Sequence, residues 1–363
     1  MRTIGCTWLR HEAVRIGALL VLIGLSALTV SSAQTQQSYY ERRQETCRLI
    51  YQTRQIGVQR DSSRVETLIA RLQQAELPKP YDRIERGMPW SAPLQTHLYA
   101  ATIVALGRVG DPRAIPAIGD FVSRPEWRYL QPYATIAVAR IKAERAFPHP
   151  RTRTEWRQKV AKFTEEAGIS LSAIAEDSKR SIRDDLYLRR PDLARLALRT
   201  LAEMAVQTYK GGLQDALQEL EQHGIVWEND IAAYLTVALA KLPPDQRTVW
   251  LMERLRSYQV LTPAVGYVAQ ALCDQGDKAT ARVAEWLNEL LQERSQEVRS
   301  STYTRTDTLL PLCFRILAGT ATPRAQEVLQ DVLLQMKQCE ESYLVNRLEI
   351  ILDQYPWTFT ADW

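Results

Sequence analysis

Near-copies of one short segment stand 33 residues apart in this chain. Ala101-Thr102-Ile103 returns as Ala134-Thr135-Ile136, and Ala238-Leu239 returns as Ala271-Leu272. The arginines that close the first two patterns, Arg108 and Arg140, are 32 apart, and Ile316-Leu317 closes a similar pattern 45 residues after Ala271-Leu272. A period of this length marks a supersecondary unit that cannot bury its apolar face alone and must stack on its neighbours. Among the folds open to 363 residues, this constraint points to an all-α solenoid of antiparallel helix pairs, about eight of them at 35–40 residues per unit.

The helical reading rests on spacing. Leu94, Leu98, Ala101 and Ala105 share one helix face, Leu193, Leu196, Leu201 and Met204 another, and Val283, Trp286, Leu287 and Leu290 a third. Apolar residues recur at the helical period, and strand-like alternation is nearly missing. Helix starts are marked by Asp111-Pro112, Thr262-Pro263 and Thr322-Pro323, where an oxygen accepts an orphan N–H and proline follows at a position that needs none. Gly276-Asp277 pairs a helix-ending glycine with a capping acid. With 45% hydrophobic and 24% charged residues, the composition excludes disordered and collagen-like classes.

The run from Leu106 through Gly107, Arg108, Val109, Gly110, Asp111, Pro112, Arg113 and Ala114 to Ile118 resembles the inter-helix turn of a HEAT repeat, in the short form also seen in phycocyanobilin lyases. Ala271 to Ala281 and Leu317 to Ala325 are looser copies. The resemblance implies stacked helix pairs with an extended binding surface. It also carries a minor alternative, a bilin-lyase-like enzyme. The ankyrin motif Thr-Pro-Leu-His is not found.

This reading divides the chain into six segments: a leader at 1–33, capping helices at 34–93, a first block of repeats at 94–141, an insertion or hinge at 142–190, a second block at 191–352, and an extended aromatic tail at 353–363. Helices are expected at Thr46–Gln59 and Ser62–Leu77. In the insertion, Phe147-Pro148-His149-Pro150 cannot be helical, since each proline forces extended backbone before it. A helix then runs from Thr154 to Gly168, on which positions 155, 159 and 162 share one face and Glu155 pairs with Lys159 at i,i+4. The 63 residues from Val138 to Leu201 equally fit two periods, making the insertion one atypical repeat. In the tail, Tyr355, Trp357 and Phe359 alternate; it either folds back over the last helix pair or is recognised by a partner.

The N-terminus reads as a secretory signal. Arg2, Arg10 and Arg15 precede an uncharged apolar run from Ile16 to Val30, and Ser31-Ser32-Ala33 offers a small-residue cleavage site. The alternative is an uncleaved anchor at 16–33, spanning about 27 Å as a helix. Both place the body outside the cytoplasmic membrane, periplasmic or extracellular. Without the leader's three arginines and one glutamate, the charge falls from +4 to about +2, too mild to imply a nucleic acid partner. Four cysteines remain, Cys47, Cys273, Cys313 and Cys339. They permit disulfides in an exported chain, with buried thiols as the favoured reading.

No catalytic constellation is found. The expectation is of no catalytic residues, no metal ligands and no cofactor. His97 reads as a structural residue on an apolar helix face, His149 as a loop residue, and His223, before Gly224, as a helix-end residue. Glu165-Glu166 and Asp184-Asp185 read as solvated faces. The tract Arg151, Arg153, Arg157, Lys159 and Lys162 is the densest positive charge. Of eight tryptophans after the leader, Trp286 falls on a core stripe, whereas Trp90 and Trp127 stand near turns and are expected to be partly exposed. The function expected is a non-enzymatic scaffold for a protein partner, touching a membrane only if the leader is retained. The main alternative is a carbohydrate-binding module that uses exposed tryptophans.

Overall fold

A computed structural model of the chain describes residues 41–42, 44–75, 94–179, 193–226, 242–257, 263–296, 304–338 and 342–353. The leader at 1–33, Trp90, Asp184-Asp185, Ala238-Leu239, Cys339 and the aromatic tail lie outside them. Residues Met1–Glu45 form one unit and Thr46–Trp363 another. The helices described below belong to the second.

Every regular element among the described residues is helical. The helix through 46–59 (α1) is followed by a 3₁₀ turn at Ser62–Arg64 and by α2 at Val65–Gln73. Next come α3 at Leu94–Val109, α4 at Ala114–Ser123, a 3₁₀ segment at Pro125–Leu130 and α5 at Gln131–Ala146. Helices α6 at Arg153–Ala167 and α7 at Leu171–Ser178 lead to α8 at Leu193–Thr208 and α9 at Leu213–Glu221. The remainder comprises α10 at Pro244–Ser257, α11 at Pro263–Cys273, α12 at Asp277–Gln296, α13 at Arg305–Thr320, α14 at Pro323–Gln338 and α15 at Ser342–Asp353.

Local chemistry explains the boundaries. Asp111 Oδ1 accepts the Arg113 N–H at 2.9 Å, and α4 begins directly after that turn. Thr322 Oγ1 accepts the Ala325 N–H at 3.3 Å while Pro323 opens α14. Gly276 adopts φ +58, ending α11 so that Asp277 can open α12. Helix α6 starts slightly earlier than its sequence suggests, because Thr152 and Glu155 form a reciprocal capping box.

Helices pack on sequence neighbours and on the next but one. Helix α3 packs on α5, and among the later helices α11 packs on α13 and α13 on α15, while α10 packs on α12 and α12 on α14; α5 also packs on α8, the third helix after it. Within the 142–190 stretch, helices α6 and α7 join the same core. Trp156, Val160 and Phe163 of α6 and Ile174 of α7 are buried with the α3, α5 and α8 side chains. Trp156 Nε1 donates to Ala216 O at 3.3 Å, and its ring lies 5.5 Å from Tyr209.

Helix α3 is buried on nearly every side from Thr96 to Val109, its polar Thr96, His97 and Thr102 included. Its Tyr99, Ala100, Ile103 and Leu106 belong to the core of the first helices. Its Leu98 and Ala101 belong to a second core, built from α1 (Cys47, Ile50, Tyr51) and from α10 to α15. Helix α1 therefore contacts the C-terminal helices, and Arg54 reaches Asp274 at 3.8 Å. Cys47, Cys273 and Cys313 are buried thiols in this second core, and burial pushes the Cys273 and Cys313 thiols well up.

Two glycines separate packing from propensity. A Cβ on Gly107 would stand 2.9 Å from both Cα and Cβ of Ala137, so α3 and α5 touch through bare backbone there. Gly119, on the exposed side of α4, has nothing within 4 Å of the same position. Gly107→Ala should lower stability by about 1–3 kcal/mol through overpacking. Gly119→Ala should raise it by about 0.5–1 kcal/mol through helix propensity. Urea unfolding of both variants checks this; equal shifts of the same sign would refute the close α3–α5 contact.

Candidate functional site

The highest density of buried charge lies where α3, α5 and α8 meet. Arg108 closes α3, Arg140 sits in the last turns of α5, and Arg199 and Glu203 are one turn apart on α8. Glu203 is 2% exposed. Its Oε1 accepts from Arg108 Nη2 at 2.5 Å and from Arg199 Nε at 3.2 Å. Its Oε2 accepts from Arg108 Nε at 2.9 Å and from Arg140 Nη1 at 2.7 Å. The Arg108 contact is the two-pronged guanidinium–carboxylate pair, the strongest form of such a bond.

The cluster continues outward. Arg140 Nε donates to Glu144 Oε1 at 2.9 Å, and Arg60, at the end of α1, donates to Glu144 Oε2. Arg140 also donates to Gln207, whose amide donates to Val58 O at 3.4 Å. The cluster thus stitches α1, α3, α5 and α8 together. Beside it is a cleft of about 30 Å³, with Tyr133, Arg140, Arg199, Thr200 and Glu203 among its walls, room for about one water.

The electrostatics decide what this arrangement can do. Burial by itself would push the Glu203 carboxyl up. The charge and hydrogen bonds of Arg108, with the charges of Arg199 and Arg140, override it and hold the group well below the usual carboxylate range. A carboxylate that is always ionised and saturated with donors is a poor general base, and arginine does not release its proton. The geometry is that of a clamp between helices.

The histidines singled out in the sequence occupy three different settings. His97 is buried on α3, as a structural histidine would be, and His149 is exposed in the loop after α5. His223 lies just past α9 with Nε2 4.0 Å from Glu219 Oε1. The basic tract is divided among carboxylates. Arg153 pairs with Asp215, Arg157 with Glu219, and Lys162 with Glu165 and Glu166. Two expectations are corrected. Glu155 and Lys159 do not pair: Glu155 Oε2 accepts the Arg151 N–H at 2.7 Å as part of the cap, while Lys159 faces inward on the Trp156–Phe163 stripe and is fully buried. Trp127 is not at the surface but 1% exposed, its ring 4.8 Å from Tyr99 and 5.3 Å from Phe121. Trp156 and Trp286 are buried as well. Among the described residues no three His, Cys, Asp or Glu side chains gather as a metal site.

Sequence reasoning noticed Arg108 and Arg140 only as repeat landmarks and passed over Glu203. The signal was present: on α8, Arg199 and Glu203 interrupt the stripe formed by Leu196, Leu201 and Met204, and charges set one turn apart within an apolar stripe require partners.

Removing the clamp's negative charge should be costly. Glu203→Gln leaves buried guanidinium groups without their counter-charge and should destabilise by about 3–5 kcal/mol. Glu66→Gln, at the exposed Arg113–Glu66 pair, should cost under about 1 kcal/mol. The stabilisation from Glu203 is complete above its unfolded value of 4.5 and is lost as pH falls below that. Urea midpoints at neutral and acid pH test both points; similar losses for the two variants would refute the clamp.

Comparison with known proteins supplies no relative: no family model, no curated protein and no solved structure matches the chain.

Proposed function

We propose that the chain is an exported, non-enzymatic α-solenoid of HEAT-like helix pairs that serves as a scaffold for a protein partner. The observation that carries this reading is the packing of α3 on α5, whose arginines Arg108 and Arg140 stand about one sequence period apart. Neighbouring units of a solenoid pack on one another in this way. The pattern of contacts to the next helix but one supports the same reading.

The surface supports a protein partner in preference to a polyanion. Lys278 pairs with Asp245, Arg256 with Glu289, Arg305 with Glu293 and Lys337 with Glu349, all on exposed faces of α10 to α15. Arg282, Glu285, Gln330 and Asp331 add exposed polar groups of both signs. Such a face suits a surface of complementary mixed charge. Export rests on the apolar run Ile16 to Val30 and the small residues before Gln34. An uncleaved leader would make the scaffold membrane-tethered.

The test is affinity capture of tagged Gln34–Trp363 from envelope extract, followed by reconstitution with the purified partner. A protein retained in fixed stoichiometry, and lost in a variant reversing the charges of Arg282 and Glu285 with neighbouring exposed pairs, is the expected result. Binding to immobilised glycans with no protein retained would overturn the proposal.

A further inference from the structure

A second buried charge-bearing group lies next to the clamp and is not part of it. Lys159 has 0% exposure. Its Nζ donates to Thr208 Oγ1 at 2.8 Å, and that hydroxyl donates its own proton to Met204 O at 2.7 Å. The amine therefore rests on a neutral hydroxyl lone pair. An ammonium group has three donors to satisfy, and burial of an ionised amine without a carboxylate contact is strongly unfavourable.

The groups around it explain why no carboxylate serves. From α5, Glu144 is held by Arg140 and Arg60, and both guanidinium groups add positive charge beside Lys159. From α8 come Thr208 and, just past its end, Tyr209; Tyr209 donates to Asp215 at 3.2 Å, and Glu203 is enclosed by arginines. From α9, Asp215 and Glu219 engage Arg153 and Arg157. On α6 itself, Glu155 caps the helix, and Glu165 and Glu166 bind Lys162. Burial lowers the amine to about 7, with Glu144 opposing and Arg140 and Arg60 reinforcing the shift.

We propose that Lys159 is a proton sensor for the seating of α6: neutral in the core, it favours the seated helix at alkaline pH, and that advantage is lost as pH falls towards neutrality, because the amine of an unseated α6 holds a proton that the core does not accommodate. The folded state holds this proton less tightly than the unfolded chain does. Stability then rises with pH between about 7 and the ordinary lysine value of 10.5, and is independent of Lys159 titration below about 7. Within that window each pH unit changes the folding equilibrium up to about tenfold.

Urea unfolding of the wild type and of Lys159→Met at pH values of about 6, 7.5 and 9 is the test, with hydrogen exchange of the α6 amides as the local readout. The wild type should gain stability from neutral to alkaline pH by up to about tenfold per unit, with α6 protection rising in step. Lys159→Met should be flat over the same interval. Parallel wild-type and variant profiles would overturn the proposal. Should the variant fail to fold, NMR titration of ¹³C-labelled lysine side chains in the wild type decides the matter. One amine titrating near 7 is expected, and all amines titrating near 10.5 would overturn it.

Discussion

A single carboxylate sets the arrangement of the first helices. Glu203 is inside the protein and ionised, so it must be met by positive charge from every helix that reaches it. Arg108 and Arg140 can meet it only if the ends of α3 and α5 come level with the second half of α8. That condition fixes the relative height of three helices, which apolar contacts alone do not. Gly107 and Ala137 make it attainable, because their small size lets α3 and α5 approach closely beside the two arginines. Hydrophobic burial supplies most of the driving force, and the ion cluster selects one register among many apolar alternatives.

Helix α3 carries this order into the rest of the molecule. One of its faces lies in the core with α2, α4 and α5, and another lies with α1 and the C-terminal helices. Helix α1 is tied at both sides, through the Arg54–Asp274 pair and through the Gln207 bond to Val58 O. These contacts tie the helices together without a disulfide among the described cysteines.

The elements were largely legible in the sequence, because their signals are local. Thr322-Pro323 and Gly276-Asp277 marked helix starts through capping chemistry, and Val283, Trp286, Leu287 and Leu290 announced the buried face of α12 through spacing. The errors arise where a side chain's partners come from another element of the fold. Lys159 looked like the i,i+4 partner of Glu155, yet it lies on the same stripe as Trp156, Val160 and Phe163, which α5 and α8 cover. Trp127 was placed by its nearness to turns, but Phe121 and Tyr99 enclose it. Glu203 has Arg199 one turn away on α8, but its partners Arg140 and Arg108 are 63 and 95 residues distant, and no local rule names them. No catalytic residue was singled out in the sequence, and the charge the structure does concentrate is held by helix packing.

The most direct test of this account is a double-mutant cycle between Arg140 and Glu203, measured by urea unfolding of Arg140→Met, Glu203→Gln and the combined variant. A clamp predicts strong coupling, about 2 kcal/mol or more, with the double variant losing far less than the sum of the singles. Additivity within about 0.5 kcal/mol would show that the two residues act independently and would contradict the role given to Glu203.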